Sequence, residues 1–177
     1  MQVTDPAGKP LADAVVAVQV RGVRPNAAPG TSAEVPQRDR QFTPRVSVVQ
    51  TGTAVQFPNL DTVRHHVYSF SGTKRFELKL YTGTPAVPVV FDKPGVADLG
   101  CNIHDRMRAW IVVVDTPYFA KTDAAGLATL NLPAGEHKLM AWHTHLREGA
   151  AWGEQALTLG ASPQQASVIL ATLPDLQ

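Results

Sequence analysis

Short apolar runs separated by proline and glycine extend along the whole chain, and this pattern limits the fold more than any other feature. The 177 residues include 14 prolines and 13 glycines. Between them lie short runs rich in β-branched residues, for example residues 14–20, 46–49 and 110–114. No segment keeps an apolar period of 3.6 residues over three turns, as an amphipathic helix requires. The pattern therefore predicts an all-β protein with Greek-key or sandwich connections.

The overall composition excludes several classes of function. The formal net charge is only +1, which does not suggest a nucleic-acid partner. No apolar run approaches the roughly 20 residues of a membrane-spanning helix, so no direct membrane span is expected. A single cysteine cannot form an intramolecular disulfide. The chain starts with a strand-like segment and shows no basic-then-apolar leader, so an exported protein would have lost its leader.

The order of strand and turn signals gives a first division of the chain. Residues 21–36 are rich in proline, alanine, glycine and serine, and they are interpreted as a linker or long loop. Strands are predicted before it at residues 14–20 and after it within residues 40–57, 67–70, 76–80, 88–91 and 108–114. The last third predicts strands at residues 128–130, 138–142, 155–159 and 165–170.

Three side chains that bind soft metals recur at every third position of one short segment. Cys101 is followed by His104 and Met107. A thiolate, two imidazoles and a weak axial thioether form the ligand set of blue-copper electron-transfer sites. The second imidazole has a candidate upstream, in the His65-His66 pair. The sequence therefore predicts one copper ion held by His65, Cys101, His104 and Met107.

The choice of His65 rests on strand periodicity. Val63, His65 and Val67 share one face of an extended strand, and the two valines indicate that this face points inward. His66 falls on the opposite face together with Arg64 and is interpreted as a solvated surface histidine.

Other interpretations of these residues remain open. Cysteine and methionine taken singly are usually core-packing residues, and His104 taken alone would be a surface or hydrogen-bonded histidine. Zinc is the alternative metal, although structural zinc sites usually have at least two cysteines and methionine is a poor zinc ligand. His143 and His145 can share a strand face and form a second metal site, but paired surface histidines are commoner. No nucleophile elbow or phosphate-binding loop is visible, so an electron carrier is expected and not an enzyme.

The central segment resembles the cupredoxins, the blue copper proteins of the plastocyanin and amicyanin group. The similarity lies in residues 52–61 with His65 and Val67, and in Pro94-Gly95 with residues 99–107. The Cys-x-x-His-x-x-Met spacing is that of amicyanin, and residues 64–71 resemble small bacterial methylamine-utilisation proteins. Two departures from the family are His66, where asparagine is usual, and Asp105. The resemblance implies a Greek-key sandwich and an exposed edge of His104 through which electrons pass to a redox partner protein.

The two ends of the chain resemble a second family. Residues 3–16 together with residues 122–130 and 132–139 resemble a transthyretin-like, carboxypeptidase regulatory-like sandwich interrupted by about a hundred residues. A copper domain at residues 37–117 is therefore expected to be inserted into a discontinuous sandwich of residues 1–36 and 118–177. Tandem domains or one decorated sandwich are the alternatives.

These expectations define two classes of function. The first is a type 1 copper protein that carries single electrons as copper cycles between Cu(II) and Cu(I). The second is a copper-binding or copper-delivery protein of the cell envelope. Since cytoplasmic thiols compete with a thiolate–copper site, the periplasm or another exported location is expected.

Overall fold

The computed structural model describes residues 1–147 and 149–173. Within these residues every regular element is a strand. In chain order the strands are β1 (Gln2–Thr4), β2 (Val15–Gln19), β3 (Ser32–Glu34), β4 (Gln37–Arg38), β5 (Gln41–Phe42), β6 (Val46–Gln50), β7 (Thr53–Gln56), β8 (His65–Phe70), β9 (Arg75–Tyr81), β10 (Val89–Phe91), β11 (Gly95–Gly100), β12 (Arg108–Val114), β13 (Phe119–Lys121), β14 (Gly135–Trp142), β15 (Gly153–Leu159) and β16 (Ser167–Ile169). The described residues contain no helix that is long and apolar enough to cross a membrane. The protein is all-β, as predicted.

The chain divides into two compact units. The unit formed by the middle of the sequence, here called the inner unit, spans Arg24–Asp115. It contains a five-stranded sheet with the order β6-β12-β11-β8-β9 and a three-stranded sheet with the order β10-β7-β3. Apolar side chains from both sheets form one core: Val35, Phe42, Val49, Val55, Phe57, Val67, Phe91, Ala97, Leu99, Cys101, Met107, Ala109, Ile111 and Val113. The inner unit is a β-sandwich in which neighbouring strands are often distant in sequence, as Greek-key connections require.

The outer unit contains Met1–Val23 and the described residues from Thr116 onward. Its four-stranded sheet has the order β13-β2-β14-β15, and β1 pairs in parallel with β16. A separate core joins these strands: Val3, Leu11, Ala14, Val16, Val18, Ala128, Leu139, Ala141, Leu157, Val168 and Leu170. Apolar side chains from the start and the end of the chain thus complete one core.

Two local predictions differ from the structure. The segment interpreted as a linker, residues 21–36, contains β3, which pairs in parallel with β7. Ser32-Ala33-Glu34 has little strand propensity of its own, so its pairing with β7 determines its conformation. Residues 128–130, predicted as a strand, lie outside the strands. Ala128 is nevertheless tied to the sheet edge, because its N–H donates to the carbonyl of Met1 at 2.9 Å.

Candidate metal centre

One short loop of the inner unit carries three of the four predicted ligands. Cys101, His104 and Met107 lie between β11 and β12, which are antiparallel and whose last pair is Gly100 with Arg108. Both ends of the loop are therefore fixed by the sheet. Within the loop the N–H of Met107 donates to the carbonyl of His104 at 2.9 Å. The three side chains are thus presented from a constrained turn.

His65 comes from the neighbouring strand of the same sheet. It is the first residue of β8 and pairs with Tyr81 of β9. Strand β8 also pairs with β11 through Tyr68 and Gly100, the residue that precedes Cys101. This pairing brings the start of β8 close to the ligand loop.

The structure brings His65, Cys101 and His104 together. One potential ligand atom from each lies within 4.8 Å of the others. The Cys101 Sγ is 3.7 Å from the His104 Nδ1, and the imidazole centroids of His65 and His104 are 5.0 Å apart. His65 is 0% exposed and Cys101 is 4% exposed, while His104 is half-buried. Among the described residues, these three side chains form the group that could hold a metal ion.

The two ring nitrogens of His65 have different environments. The Nε2 lies 2.7 Å from the Asp61 Oδ2, whereas the Nδ1 is buried and has no hydrogen-bond partner. A buried imidazole nitrogen without a partner is unfavourable, and a metal ion would satisfy it. A metal-binding histidine typically donates its other ring N–H to a carboxylate. Asp61 makes this contact, so the Nδ1 of His65 is the atom available for a metal.

Asp61 was not among the residues selected from the sequence. Its carboxylate accepts hydrogen bonds from the backbone N–H of Asp39 at 2.7 Å and of Arg40 at 2.9 Å. Burial raises the pKa of Asp61, but the hydrogen bonds from Arg40, His65 and Asp39 together hold this pKa below its usual value. The carboxylate is therefore ionised and can fix the ring of His65.

The donor set fits copper. A buried thiol and two imidazoles combine a soft ligand that favours Cu(I) with ligands that suit both oxidation states. A structural zinc site of this kind would usually have a second cysteine, and Cys101 is the only cysteine in the sequence. Copper is therefore the cofactor that this group suits.

Met107 lies in the same core cluster as Cys101 and is 2% exposed. A buried thioether on the ligand loop is consistent with the weak axial position that the sequence predicts. A flexible thioether also fills gaps in a core. Burial alone therefore does not distinguish an axial ligand from a core residue at position 107.

His66 contradicts the prediction of a solvated surface histidine. It is 6% exposed, and its Nε2 lies 3.0 Å from a carboxylate oxygen of Glu77. The prediction assumed strict alternation along a regular strand. The pairing of β8 with β9 shifts register between His65 and Val67, and Val63 lies outside the strand with 38% of its surface exposed. The irregularity allows two consecutive histidines to be buried.

A buried polar network lies beside the site. The Tyr81 hydroxyl donates to the carbonyl of Phe57 at 2.7 Å, and the Gln37 amide donates to the Tyr81 oxygen at 2.5 Å. Burial is the main cause that raises the pKa of Tyr81 to about 12; the hydrogen bond from Gln37 lowers this pKa, and the interaction with Cys101 raises it. Tyr81 therefore remains a neutral hydroxyl and adds no negative charge near the cysteine.

The second metal site that the sequence left open at His143 and His145 is not favoured by the contacts of His143. The Nε2 of His143 lies 3.0 Å from the carbonyl of Ala12 and donates to it. Its Nδ1 accepts the backbone N–H of His145 at 3.2 Å. Because both ring nitrogens of His143 are occupied, this histidine has a structural role in the outer unit.

Comparison with solved structures shows that the fold of this chain is similar to that of several copper proteins. A copper-containing nitrite reductase from Thermus scotoductus SA-01 is 24% identical, with a TM-score of 0.44, over 51% of this chain and 25% of that chain. A purple cupredoxin from Nitrosopumilus maritimus is 20% identical, with a TM-score of 0.40, over 47% of this chain and 98% of the other.

An amicyanin from Paracoccus versutus is 18% identical, with a TM-score of 0.40, over 54% of this chain and 96% of the amicyanin. The match to the nitrite reductase spans only a quarter of that enzyme's length. No protein-family model and no curated protein matches this chain.

Proposed function

We propose that this protein is a type 1 copper electron carrier, with His65, Cys101, His104 and Met107 as the ligands of one copper ion. The observation that carries the proposal is the buried group of His65, Cys101 and His104 with ligand atoms within 4.8 Å. The unpartnered Nδ1 of His65 supports the same conclusion. Bound copper would supply the one-electron Cu(II)/Cu(I) couple.

The surroundings of the ligands suit electron transfer. Three ligands come from a loop fixed by β11 and β12, and the fourth comes from β8 of the same sheet. A sheet that holds the ligands in place limits their movement when the charge of the site changes. Burial of His65 and Cys101 excludes water from these ligands. These properties favour a small structural change on electron transfer.

His104 is the ligand best placed for contact with a partner. It is half-buried, whereas His65 and Cys101 are buried. Exposed apolar side chains occur close to the ligands in sequence: Leu60, Val63 and Ile103. Such side chains favour transient docking of a redox partner protein. We therefore propose that electrons pass through His104, and that the protein works in the periplasm or another exported location, where competing thiols are few.

A copper-delivery protein is the competing function, and kinetics distinguish the two. A carrier of electrons should exchange electrons rapidly with a second copy of itself and should release copper slowly. A delivery protein should show the reverse. We expect slow loss of Cu(I) to a chelator and fast self-exchange measured by line broadening in NMR. Rapid copper release with negligible self-exchange would contradict the proposal.

The role of Met107 is tested by replacing it with leucine. Leucine fills a similar volume, so the core should lose less than about 1.5 kcal/mol. If the thioether is an axial ligand, its loss should keep the thiolate–copper band and raise the reduction potential, because the axial ligand tunes this potential. Spectroscopy and voltammetry of the copper-loaded variant measure both effects.

The matched control is Met140→Leu, in β14 of the outer unit. This change should leave the potential of the copper site unaltered. If Met107→Leu also leaves the potential unaltered, Met107 is a core residue and not a ligand.

We further propose that each unit is a domain, with the copper domain inserted into the outer sandwich. Each unit has its own core, and Leu139 and Ile111 are each 0% exposed within them. Truncation of either side chain to alanine should cost about 2–5 kcal/mol. Leu139→Ala should lower the unfolding temperature of the outer unit without changing the temperature at which the copper band is lost.

Ile111→Ala is the reciprocal variant and should lower the temperature at which the copper band is lost. Thermal unfolding followed by calorimetry and by visible absorption measures the two transitions separately. Loss of the copper band at an equally reduced temperature in both variants would show that the two units unfold as one.

A further inference from the structure

A two-residue turn close to the ligand segment has an unusual backbone conformation. Strands β4 and β5 are antiparallel, with Arg38 opposite Gln41. The turn between them is Asp39-Arg40, with φ angles of 53° and 58°. Such hairpin turns need positive φ at both positions, which normally selects Asn-Gly or Gly-containing pairs. A left-handed conformation is unfavourable for arginine, so other contacts must maintain it.

The turn presents two successive N–H groups to Asp61. The Asp39 N–H donates to the Oδ1 at 2.7 Å, and the Arg40 N–H donates to the Oδ2 at 2.9 Å. Successive backbone N–H groups in a turn form a concave site for an anion. Here the anion is the carboxylate of the same chain. The Oδ2 also lies 2.7 Å from the His65 Nε2, so the turn and the imidazole share one carboxylate.

The hairpin is also joined to the backbone that leads to His65. The N–H of Gln37 donates to the carbonyl of Pro58 at 2.8 Å, and the N–H of Leu60 donates to the carbonyl of Gln37 at 2.9 Å. These two hydrogen bonds fix the hairpin against the segment that carries Asp61.

The side chain of Asn59 reinforces the same segment. Its Nδ2 donates to the carbonyls of Val63 and Tyr81, each at 2.9 Å. Its Oδ1 accepts the N–H of Asp61 at 3.0 Å. The position of the Asp61 carboxylate is thus determined from the loop as well as from the hairpin.

We propose that the Asp39-Arg40 turn is a positioning element for the copper ligand His65 and that it acts through Asp61. The proposal rests on the proposed function of the site. His65 is 0% exposed, so its ring has no water to replace a displaced carboxylate. The turn keeps the Asp61 carboxylate directed at the Nε2. This orients the Nδ1 towards Cys101 and His104. The unfavourable φ angles are retained because the turn has this role.

The test compares two changes in the turn of the full-length protein. Arg40→Pro removes one N–H and cannot adopt a φ of 58°. The double variant D39N/R40G keeps both N–H groups and has the residue pair that favours this turn. We expect Arg40→Pro to lower the Cu(II) affinity by about tenfold or more, the effect typical of losing an outer contact. Its reduction potential should rise, because a less polarised His65 stabilises Cu(II) less. D39N/R40G should match the original protein in both measurements.

The same changes in an Asp61→Ala background show whether the turn acts through Asp61. We expect Arg40→Pro to have no further effect on Cu(II) affinity or potential once Asp61 is absent. Arg40→Val, which keeps the N–H but disfavours positive φ, should cause a smaller loss that also depends on Asp61. This variant provides the test if Arg40→Pro does not fold, as judged by the circular dichroism of the copper-free protein.

An equal loss of affinity with and without Asp61 would contradict the proposal, as would normal affinity and potential in both Arg40 variants. Failure of the proposed function itself would give a result that can be distinguished from failure of this proposal. In that case the unaltered protein would already lack a thiolate–copper band, whatever the state of the turn.

Discussion

We expect replacement of Cys101 by serine to remove the intense visible band predicted for the copper-loaded protein and to cause the largest loss of copper affinity of any single change in the proposed site. The band would arise from charge transfer between the thiolate and Cu(II), and a serine hydroxyl offers neither the soft donor nor the transition. Cys101 is the only thiol in the chain. We expect complete loss of the band and a loss of affinity beyond the ~10–100-fold typical of outer contacts. Absorption spectroscopy and chelator competition measure both.

Asn102→Ser is the matched control for Cys101→Ser. Asn102 is the next residue of the same loop and is exposed, so this change should leave the band and the affinity unaltered. Survival of the band in Cys101→Ser would show that the absorption does not come from a thiolate–copper bond. The proposed ligand set would then be wrong.

Replacing His65 by glycine should abolish the band as well, and added imidazole should restore it. The side chain is 0% exposed, so its removal leaves a cavity in which a free imidazole fits. The affinity should fall by more than the ~10–100-fold cost of losing an outer contact, because a ligand is lost. Titration of the copper-loaded variant with imidazole, followed by visible absorption, measures the recovery.

His66→Gly separates the two adjacent histidines. Both are buried, but His66 lies beside Glu77 and the metal group contains His65. We expect His66→Gly to reduce stability while keeping the thiolate–copper band. If His66→Gly loses the band and regains it with imidazole, while His65→Gly keeps it, the assignment of the fourth ligand must be exchanged.

Much of the fold could be predicted from local sequence patterns. The alternating apolar runs identified strands such as β7 and β12, and the all-β class followed from them. Strand β3 was missed because Ser32-Ala33-Glu34 becomes a strand only through pairing with β7, a contact between distant segments. The Asp39-Arg40 turn was missed for a related reason. It lacks the Asn-Gly signal of this turn type, and its conformation depends on Asp61.

The residues around the proposed ligands could be predicted less well than the ligand group itself. The proximity of Cys101 and His104 could be predicted because both residues lie within one loop, where sequence distance reflects spatial distance. His65 was selected by an alternation that included Val63, yet Val63 is outside the strand, and the register shift in β8 buries His66 as well. Asp61 was missed altogether. A carboxylate four residues before a histidine indicates a contact on a helix, but no such rule applies in an irregular loop.

The proposed function requires that this protein holds one copper ion by a thiolate and two imidazoles. The most direct measurement is the visible and EPR spectrum of the protein loaded with one equivalent of Cu(II). We predict an intense thiolate-to-copper band together with the EPR signal of a type 1 site, both saturating at one copper per chain. Weak absorption with an EPR signal typical of copper bound only by nitrogen and oxygen would contradict the proposed function.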